Sequence, residues 1–299
     1  MKILITGATG FLGRRVCEVL SQAGHTLIAL SRDPQRAKQR APALTEAFRW
    51  DALGEAIKGC DAVIHLAGET VAGRWTDAKK KAIRDSRVVS TRNLVNALAQ
   101  LSARPNVLIS ASAIGYYGDR GEENLTEDSS PGSDFLAQVC RDWESEAARA
   151  ESLGVRVARL RIGLVLGPGG GALHAMLPLF KLGLGGPLGS GRQFWSWVHR
   201  DDVVGAIAFA LEREDLHGPI NVTAPQPVRQ REFAQVLGRL LRRPAVLPAP
   251  AFALKIVLGE FASELLSSKR VLPQRLQQVG YRFRFAELEP AVKEILAAG

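Results

Sequence analysis

The seven residues Gly7–Gly13, "GATGFLG", set glycines at Gly7, Gly10 and Gly13 between an apolar run and an amphipathic one. Glycines so spaced allow a tight strand-to-helix turn and a close backbone approach, so that helix N–H groups can meet a pyrophosphate. Thr9, Phe11 and Leu12 belong to the same turn and join the expected cofactor contacts. The next apolar run ends in "ALSRDP", where Ser31 and Arg32 precede Asp33. An acidic residue first in that place would bond the ribose 2′-hydroxyl of NAD and repel a 2′-phosphate. A hydroxyl followed by a guanidinium suits a phosphate dianion instead, so NADP(H) is the expected cofactor and NAD(H) the alternative.

Other chemistries find little support. There is no H-E-x-x-H and no clustering of Cys and His, so no metal site is expected. No G-x-S-x-G elbow marks a hydrolase. The three cysteines, Cys17, Cys60 and Cys140, are widely spaced, which fits reduced, buried thiols. The net charge is +9, with its densest run at Lys79-Lys80-Lys81. No nucleic-acid-binding motif accompanies that charge, so solvated helix faces and an anionic cofactor account for it and no nucleic-acid partner is expected. No apolar run reaches the roughly 20 residues that a membrane-crossing helix needs. The N-terminus reads as a strand rather than a signal peptide, which implies a cytoplasmic address, or an organelle matrix after loss of a transit segment. A small-molecule partner is expected, with monomer and homodimer both open.

The elements that must position the glycine turn alternate along the first half of the chain. Strands are expected at Lys2–Thr6, His25–Leu30, Ala62–Ala67, Asn106–Ser110 and Val155–Arg161. Helices are expected at Gly13–Ala23, over one long stretch Asp77–Ser102, and at Leu136–Ser152. Such alternation predicts an α/β fold, a Rossmann-type doubly wound parallel sheet. From about Gly167 glycine and proline become frequent around helix candidates at Leu173–Leu182, Glu232–Leu241, Phe252–Leu266 and Ala286–Ala298. The expected division is an NADP-binding domain over 1–167 with returning elements in 195–225, a small mixed substrate-covering region over 168–247, and a C-terminal segment over 248–299.

Several motifs in order resemble the extended short-chain dehydrogenase/reductases, the group that contains nucleotide-sugar epimerases. They are the glycine turn, "DAVIHLAG" (Asp61–Gly68), "RIGLVLGPGG" (Arg161–Gly170) and "WSWVHRDDVVGAI" (Trp195–Ile207). The resemblance implies that Leu66, Ala67 and Gly68 lie beside the cofactor and Asp51 near the adenine. "GRWTDAKKKAIRDSRVVSTRNLV", "SASAIGYYGD" and the tail "SSKRVLPQRLQQVGYRFRFAELEPAV" are similar to an atypical, epimerase-like branch with an extra C-terminal segment, sometimes labelled cell-division inhibitors.

The usual catalyst of these enzymes is a tyrosine with a lysine one helical turn later. Here "FLAQVC" puts Leu136 and Cys140 at those places, and no Y-x-x-x-K occurs anywhere. By resemblance, Tyr117, Tyr116 and Ser112 are the remaining catalytic candidates. Arg87, at the family's asparagine position, either meets an anionic ligand or lies on a solvated face. His65 reads as a satisfied core histidine, and His199 as part of a structural turn with Asp201 or Asp202 as partners. Trp75, Trp195 and Trp197 either pack the two regions together or form an apolar wall, with Arg74 and Lys181 supplying charge. The expected activity is hydride transfer on an unidentified small molecule without the usual Tyr/Lys pair. The alternatives are a non-catalytic NADP(H)-dependent sensor or partner-binding protein, and a nucleotide-sugar epimerase-like enzyme.

Overall fold

Strands with apolar side chains on both faces are satisfied only inside a sheet covered on both sides. In a computed structural model describing residues 1–298, the chain builds such a sheet from seven parallel strands. They are β1 (Lys2–Thr6), β2 (Thr26–Leu30), β3 (Glu46–Phe48), β4 (Ala62–His65), β5 (Val107–Ala113), β6 (Arg156–Ile162) and β7 (Gly218–Val222). Their spatial order is β7-β6-β5-β4-β1-β2-β3. The chain therefore winds outward in both directions from β1 and β4, the switch point beside which ligands of such sheets bind. Alternate residues of β1 serve opposite layers: Ile3 and Ile5 pack with Val16, Leu20 and Ile207 on one face. Leu4 packs with Leu94, Leu98 and Leu108 on the other.

A third apolar cluster, around Leu166, Trp197, Phe233 and Val292, joins the later elements to the final helix, Leu288–Ala298. Helices Ala251–Leu258 and Phe261–Leu266 precede a separate two-stranded sheet, in which Arg270–Val271 pairs in parallel with Asn124–Leu125. Ser196 Oγ accepts the Val271 N–H at 2.8 Å, and Asp119 accepts the Ser268 N–H at 2.9 Å, so this segment is pinned from two sides. Among the described residues no helix is long and apolar enough to cross a membrane.

Two expected helices are each divided. The stretch expected as Asp77–Ser102 forms Asp77–Asp85 and Val88–Ala99. Between them Ser86 Oγ and Arg87 Nη1 both donate to the Ile83 carbonyl, at 3.1 and 3.0 Å, and so compete with the backbone ladder. The expected Phe252–Leu266 helix breaks at Gly259, which adopts φ +60°. The short edge strand β3 was missed, because three residues carry too little alternation to read. Trp195 and Trp197 lie in the short strands Phe194–Trp195 and Trp197–His199 and are buried.

Candidate functional site

Parallel strands deliver their following residues to one edge, and there the expected cofactor contacts converge. Gly7 follows β1, Ser31 and Arg32 follow β2, and Leu66–Gly68 follow β4. Gly7 adopts φ +74°, and a Cβ on it would lie 2.8 Å from the Leu66 carbonyl carbon. A Cβ on Gly13 would lie 2.1 Å from the Gly7 oxygen, so both glycines are steric requirements of the turn. The helix they open, Phe11–Gln22, has no side-chain cap and no acidic residue in its first turn. Its first N–H groups and positive end are thus free for an anion, and the cradle fits a pyrophosphate. Phe11 packs beneath the Gly167–Gly171 loop, where Cβ atoms on Gly167, Gly170 or Gly171 would strike its ring. Leu12 packs on the core, and Thr9 is half-buried within the turn.

The end of β2 keeps its carboxylate engaged and its guanidinium exposed. The Ser31 hydroxyl bonds the Asp33 backbone, and Asp33 caps the helix Pro34–Arg40 by accepting the Arg36 N–H at 3.0 Å. Asp33 is therefore occupied locally. Arg32 is exposed, and its side chain pairs with no carboxylate among the described residues. Asp51 sits in the turn Trp50–Ala52, 3.6 Å from Arg49.

Behind this edge Thr6, His65 and Thr91 form a buried relay. Thr91 Oγ1 donates to the Arg87 carbonyl at 2.6 Å, leaving it to accept from His65 Nε2 at 2.9 Å. Nδ1 then accepts from Thr6 Oγ1 at 2.6 Å, and that oxygen accepts the Ala67 N–H at 3.1 Å. Burial pushes the His65 pKa down to about 4, so the ring is neutral. His65 is the satisfied core histidine that the sequence suggests, and it holds the "LAG" segment against the glycine turn.

The three residues expected to be catalytic belong to a second network. Glu144 and Arg161 form a buried two-point ion pair, at 2.8 and 2.9 Å, and Ser112 Oγ donates to Glu144 at 2.7 Å. Arg161 also donates to the Tyr117 hydroxyl at 3.0 Å, and its guanidinium lies 3.5 Å from the Tyr116 ring centroid. The Tyr117 hydroxyl faces Asn221 Oδ1 at 2.6 Å and the Thr126 carbonyl at 2.9 Å. Burial pushes the Tyr117 pKa up to about 12, against the pull of Arg161. These groups hold β5, β6 and β7 together, and none of the three lines the adjoining cavity. Of the catalytic candidates, Tyr117 and Ser112 are buried and have their hydrogen bonds spent inside the protein, which argues against their touching a substrate.

That cavity, of about 260 Å³, opens where β5 and β6 end. Ile114, Gly115, Ile162 and Gly163 form its floor, and Leu136 and Cys140 stand in the wall where a Tyr/Lys pair is absent. Cys140 is buried, and its thiol is pushed up to about 12 by that burial and by Glu144, which excludes a thiolate. Trp195 and Phe194 add an apolar wall, and the C-terminal segment closes the cavity with Phe261, Glu264, Leu265, Ser267 and Lys269. Lys269 is buried and donates to both Glu264 oxygens at 3.0 Å and to Ser267 Oγ. Arg87 completes the wall, its guanidinium 5.4 Å from the Trp143 ring centroid.

Comparison with known proteins agrees with this arrangement. The profile of the NAD dependent epimerase/dehydratase family matches residues 3–223, and a domain of unknown function, DUF1731, matches residues 249–295. The chain belongs to the NAD dependent epimerase/dehydratase family. Among relatives, the chloroplastic SDR39U1 homologue of Arabidopsis thaliana, an epimerase family protein, is 43% identical, covering 99% of this chain and 87% of its own. The crystal structure of human epimerase family protein SDR39U1 (isoform 2) with NADPH superposes with a TM-score of 0.92 at 35% identity, covering 99% of both chains. UDP-glucuronic acid 4-epimerase from Bacillus cereus shares the fold, with a TM-score of 0.81 at 18% identity over 99% of this chain and 98% of that one.

Within this family member, other candidate residues fall to structural roles. His199 Nδ1 accepts the Asp201 N–H at 3.1 Å and its ring packs on Phe285, while Asp202 caps the backbone of Arg284 and Phe285. Lys79, Lys80 and Lys81 pair with Glu69, Glu260 and Asp85, so the densest basic run is an ion-paired helix face. Trp197 packs the core, whereas Trp195 lines the inner cavity and Trp75 meets Phe135 edge-on and Phe261 at a tilt at an outer one. Sequence reasoning missed Glu264 and Lys269. The adjacent polar residues of "SSKR" were their only local signal, and nothing near them in sequence shows that they face strand ends far away in the chain.

Proposed function

We propose that this protein binds NADP(H) along the carboxyl edge of its sheet and acts as an oxidoreductase on a small molecule held in the adjoining cavity. The observation that carries this reading is the continuity of the two features. The glycine cradle and the free Arg32 lie on the same edge as an apolar cavity floored by the ends of β5 and β6. Gly7, Gly10 and Gly13 would hold the pyrophosphate, Ser31 and Arg32 the 2′-phosphate, Asp51 the adenine end, and Leu66–Gly68 the inner face of the dinucleotide. The presence of NADPH in the human relative's structure supports the choice of cofactor. When bound, a nicotinamide dinucleotide supplies hydride exchange with a substrate carbon. The chain contributes orientation and exclusion of water, which can lower a barrier substantially without a strong base.

The reading takes the working protein to be a monomer or a homodimer. The buried, unpaired thiols suit a reducing compartment such as the cytoplasm. The second reading, a non-catalytic NADP(H)-dependent sensor, is favoured by one observation: Leu136 and Cys140 leave the usual catalytic positions without an acid or base. The test is a fluorescence titration with NADPH and NADH, followed by a carbonyl panel read as NADPH loss. NADPH should bind more tightly than NADH, and Arg32→Glu should cut that preference roughly tenfold or more. Equal affinity for NADH would refute the role of Arg32. Tight NADPH binding with no turnover across the panel would favour the sensor.

A further inference from the structure

The charged residues that line the inner cavity are Arg87, Glu264 and Lys269. Lys269 and Glu264 neutralise one another at 3.0 Å. Among the described residues Arg87 has no carboxylate within ion-pair distance. It donates to the Ile83 carbonyl, rests against the Trp143 ring and lies close to Gly68, where a Cβ would be 3.3 Å from its Cζ. Its neighbour Cys140 is a neutral thiol, and Glu69, on its outer side, is taken by Lys79 at 2.7 Å. Burial lowers the Arg87 pKa, the sign of a cation held where solvent cannot fully compensate it. The cavity walls therefore carry one surplus positive charge in an otherwise apolar enclosure. Such a charge is costly unless an anion joins it.

We infer that the inner cavity binds a small organic carboxylate, a monoanion on a compact apolar body, with Arg87 holding the carboxylate and the C-terminal segment closing over the rest. The inference deepens the proposed oxidoreductase reading by naming the class of substrate, and it rests on that reading for the reaction. A monoanion brings the walls to neutrality, whereas a phosphate dianion would leave them negative. The volume of about 260 Å³ falls just below the usual 300–1,000 Å³ range of ligand sites. Ile114, Leu136, Trp195 and Phe261 match an apolar body. The Lys269–Glu264 pair, carried in by the domain of unknown function at residues 249–295, walls the cavity opposite the strand ends and keeps its own charges balanced. That domain thereby acquires a role as the substrate cover. Its attachment reinforces the idea: Lys80 pairs with Glu260, tying the segment to the helix that leads directly into Arg87.

The experiment uses benzoate and hexanoate as probes, with benzamide and hexanamide as uncharged counterparts, titrated into the full chain by ligand-observed NMR without cofactor and with saturating NADPH. The carboxylates should bind at least roughly tenfold more tightly than the amides. Arg87→Gln should erase that preference, and Arg87→Lys should restore part of it, while both variants stay folded by circular dichroism and keep the wild-type NADPH affinity. Equal binding of amides and carboxylates, or a preference that survives Arg87→Gln, would overturn the assignment. So would loss of NADPH affinity in Arg87→Gln with the probe preference intact, since Arg87 would then serve the cofactor. Failure of the wild-type chain to bind NADPH, with carboxylate preference present, would sink the oxidoreductase reading and leave the carboxylate site standing.

Discussion

Replacing Tyr117 by Phe separates a structural tyrosine from a catalytic one, because the ring stays and only the hydroxyl goes. That oxygen accepts from Arg161 at 3.0 Å and can donate to one of two acceptors, Asn221 Oδ1 at 2.6 Å or the Thr126 carbonyl at 2.9 Å. Its removal deletes one charge-assisted hydrogen bond and one neutral one and leaves a buried acceptor without a partner. Arg161 keeps its two bonds to Glu144 and one to the Glu127 carbonyl, so the ion pair survives. Charge-assisted bonds contribute about 1.5–3 kcal/mol and neutral ones about 0.5–1.5. Allowing for relaxation, the variant should lose about 2–3 kcal/mol of stability. At roughly 2–4 °C per kcal/mol for chains of this order of size, the thermal midpoint should fall by about 4–12 °C. Urea unfolding followed by circular dichroism measures the loss, and NADPH fluorescence titration on the same sample should give an unchanged affinity. An unaltered midpoint together with a tenfold drop in NADPH or benzoate binding would refute the reasoning and return Tyr117 to the site.

Further consequences follow from other groups. His65 has a folded-state pKa of about 4, below the unfolded value of about 6.5. Between these values the unfolded chain binds the proton that the folded one refuses, so stability should fall by about 3 kcal/mol as pH drops from 6.5 to 4 and hold above 6.5. A denaturation series across that window, with His65 followed by NMR, checks it, and protonation of folded His65 near pH 6.5 would contradict it. Gly13→Ala places a methyl group 2.1 Å from the Gly7 oxygen. It should weaken NADPH binding by roughly tenfold or more, whereas Gly24→Ala, where space is open but φ is +83°, should cost stability alone. Cys17 and Cys140, with thiols pushed up to about 12, should resist iodoacetamide in the folded protein and react only after unfolding. Rapid labelling of Cys140 under native conditions would show that the cavity wall opens.

Much of this protein is set by local sequence. The runs at Lys2–Thr6, Ala62–His65 and Val107–Ala113 are apolar on both faces, and that alone requires a parallel sheet between two helical layers. The turn Gly7–Gly13 and the order Ser31, Arg32, Asp33 are also local, since a tight turn and a strand end are built from adjacent residues. The absence of a tyrosine followed four residues later by lysine is visible in one dimension because both would lie on one helix. Local sequence could not place the breaks at Arg87 and Gly259, where helix periodicity continues while side chains and backbone depart from it. Nor could it tell that Tyr117, beside the site in sequence, turns inward to Asn221, which only the pairing of β7 with β6 brings near. The cavity itself was decided by tertiary structure. Arg87, Cys140 and Lys269 share a wall because the strands end at one edge and the C-terminal segment folds back over them. Charge balance in an enclosure depends on which side chains surround it, and that neighbourhood exists only once the chain has closed.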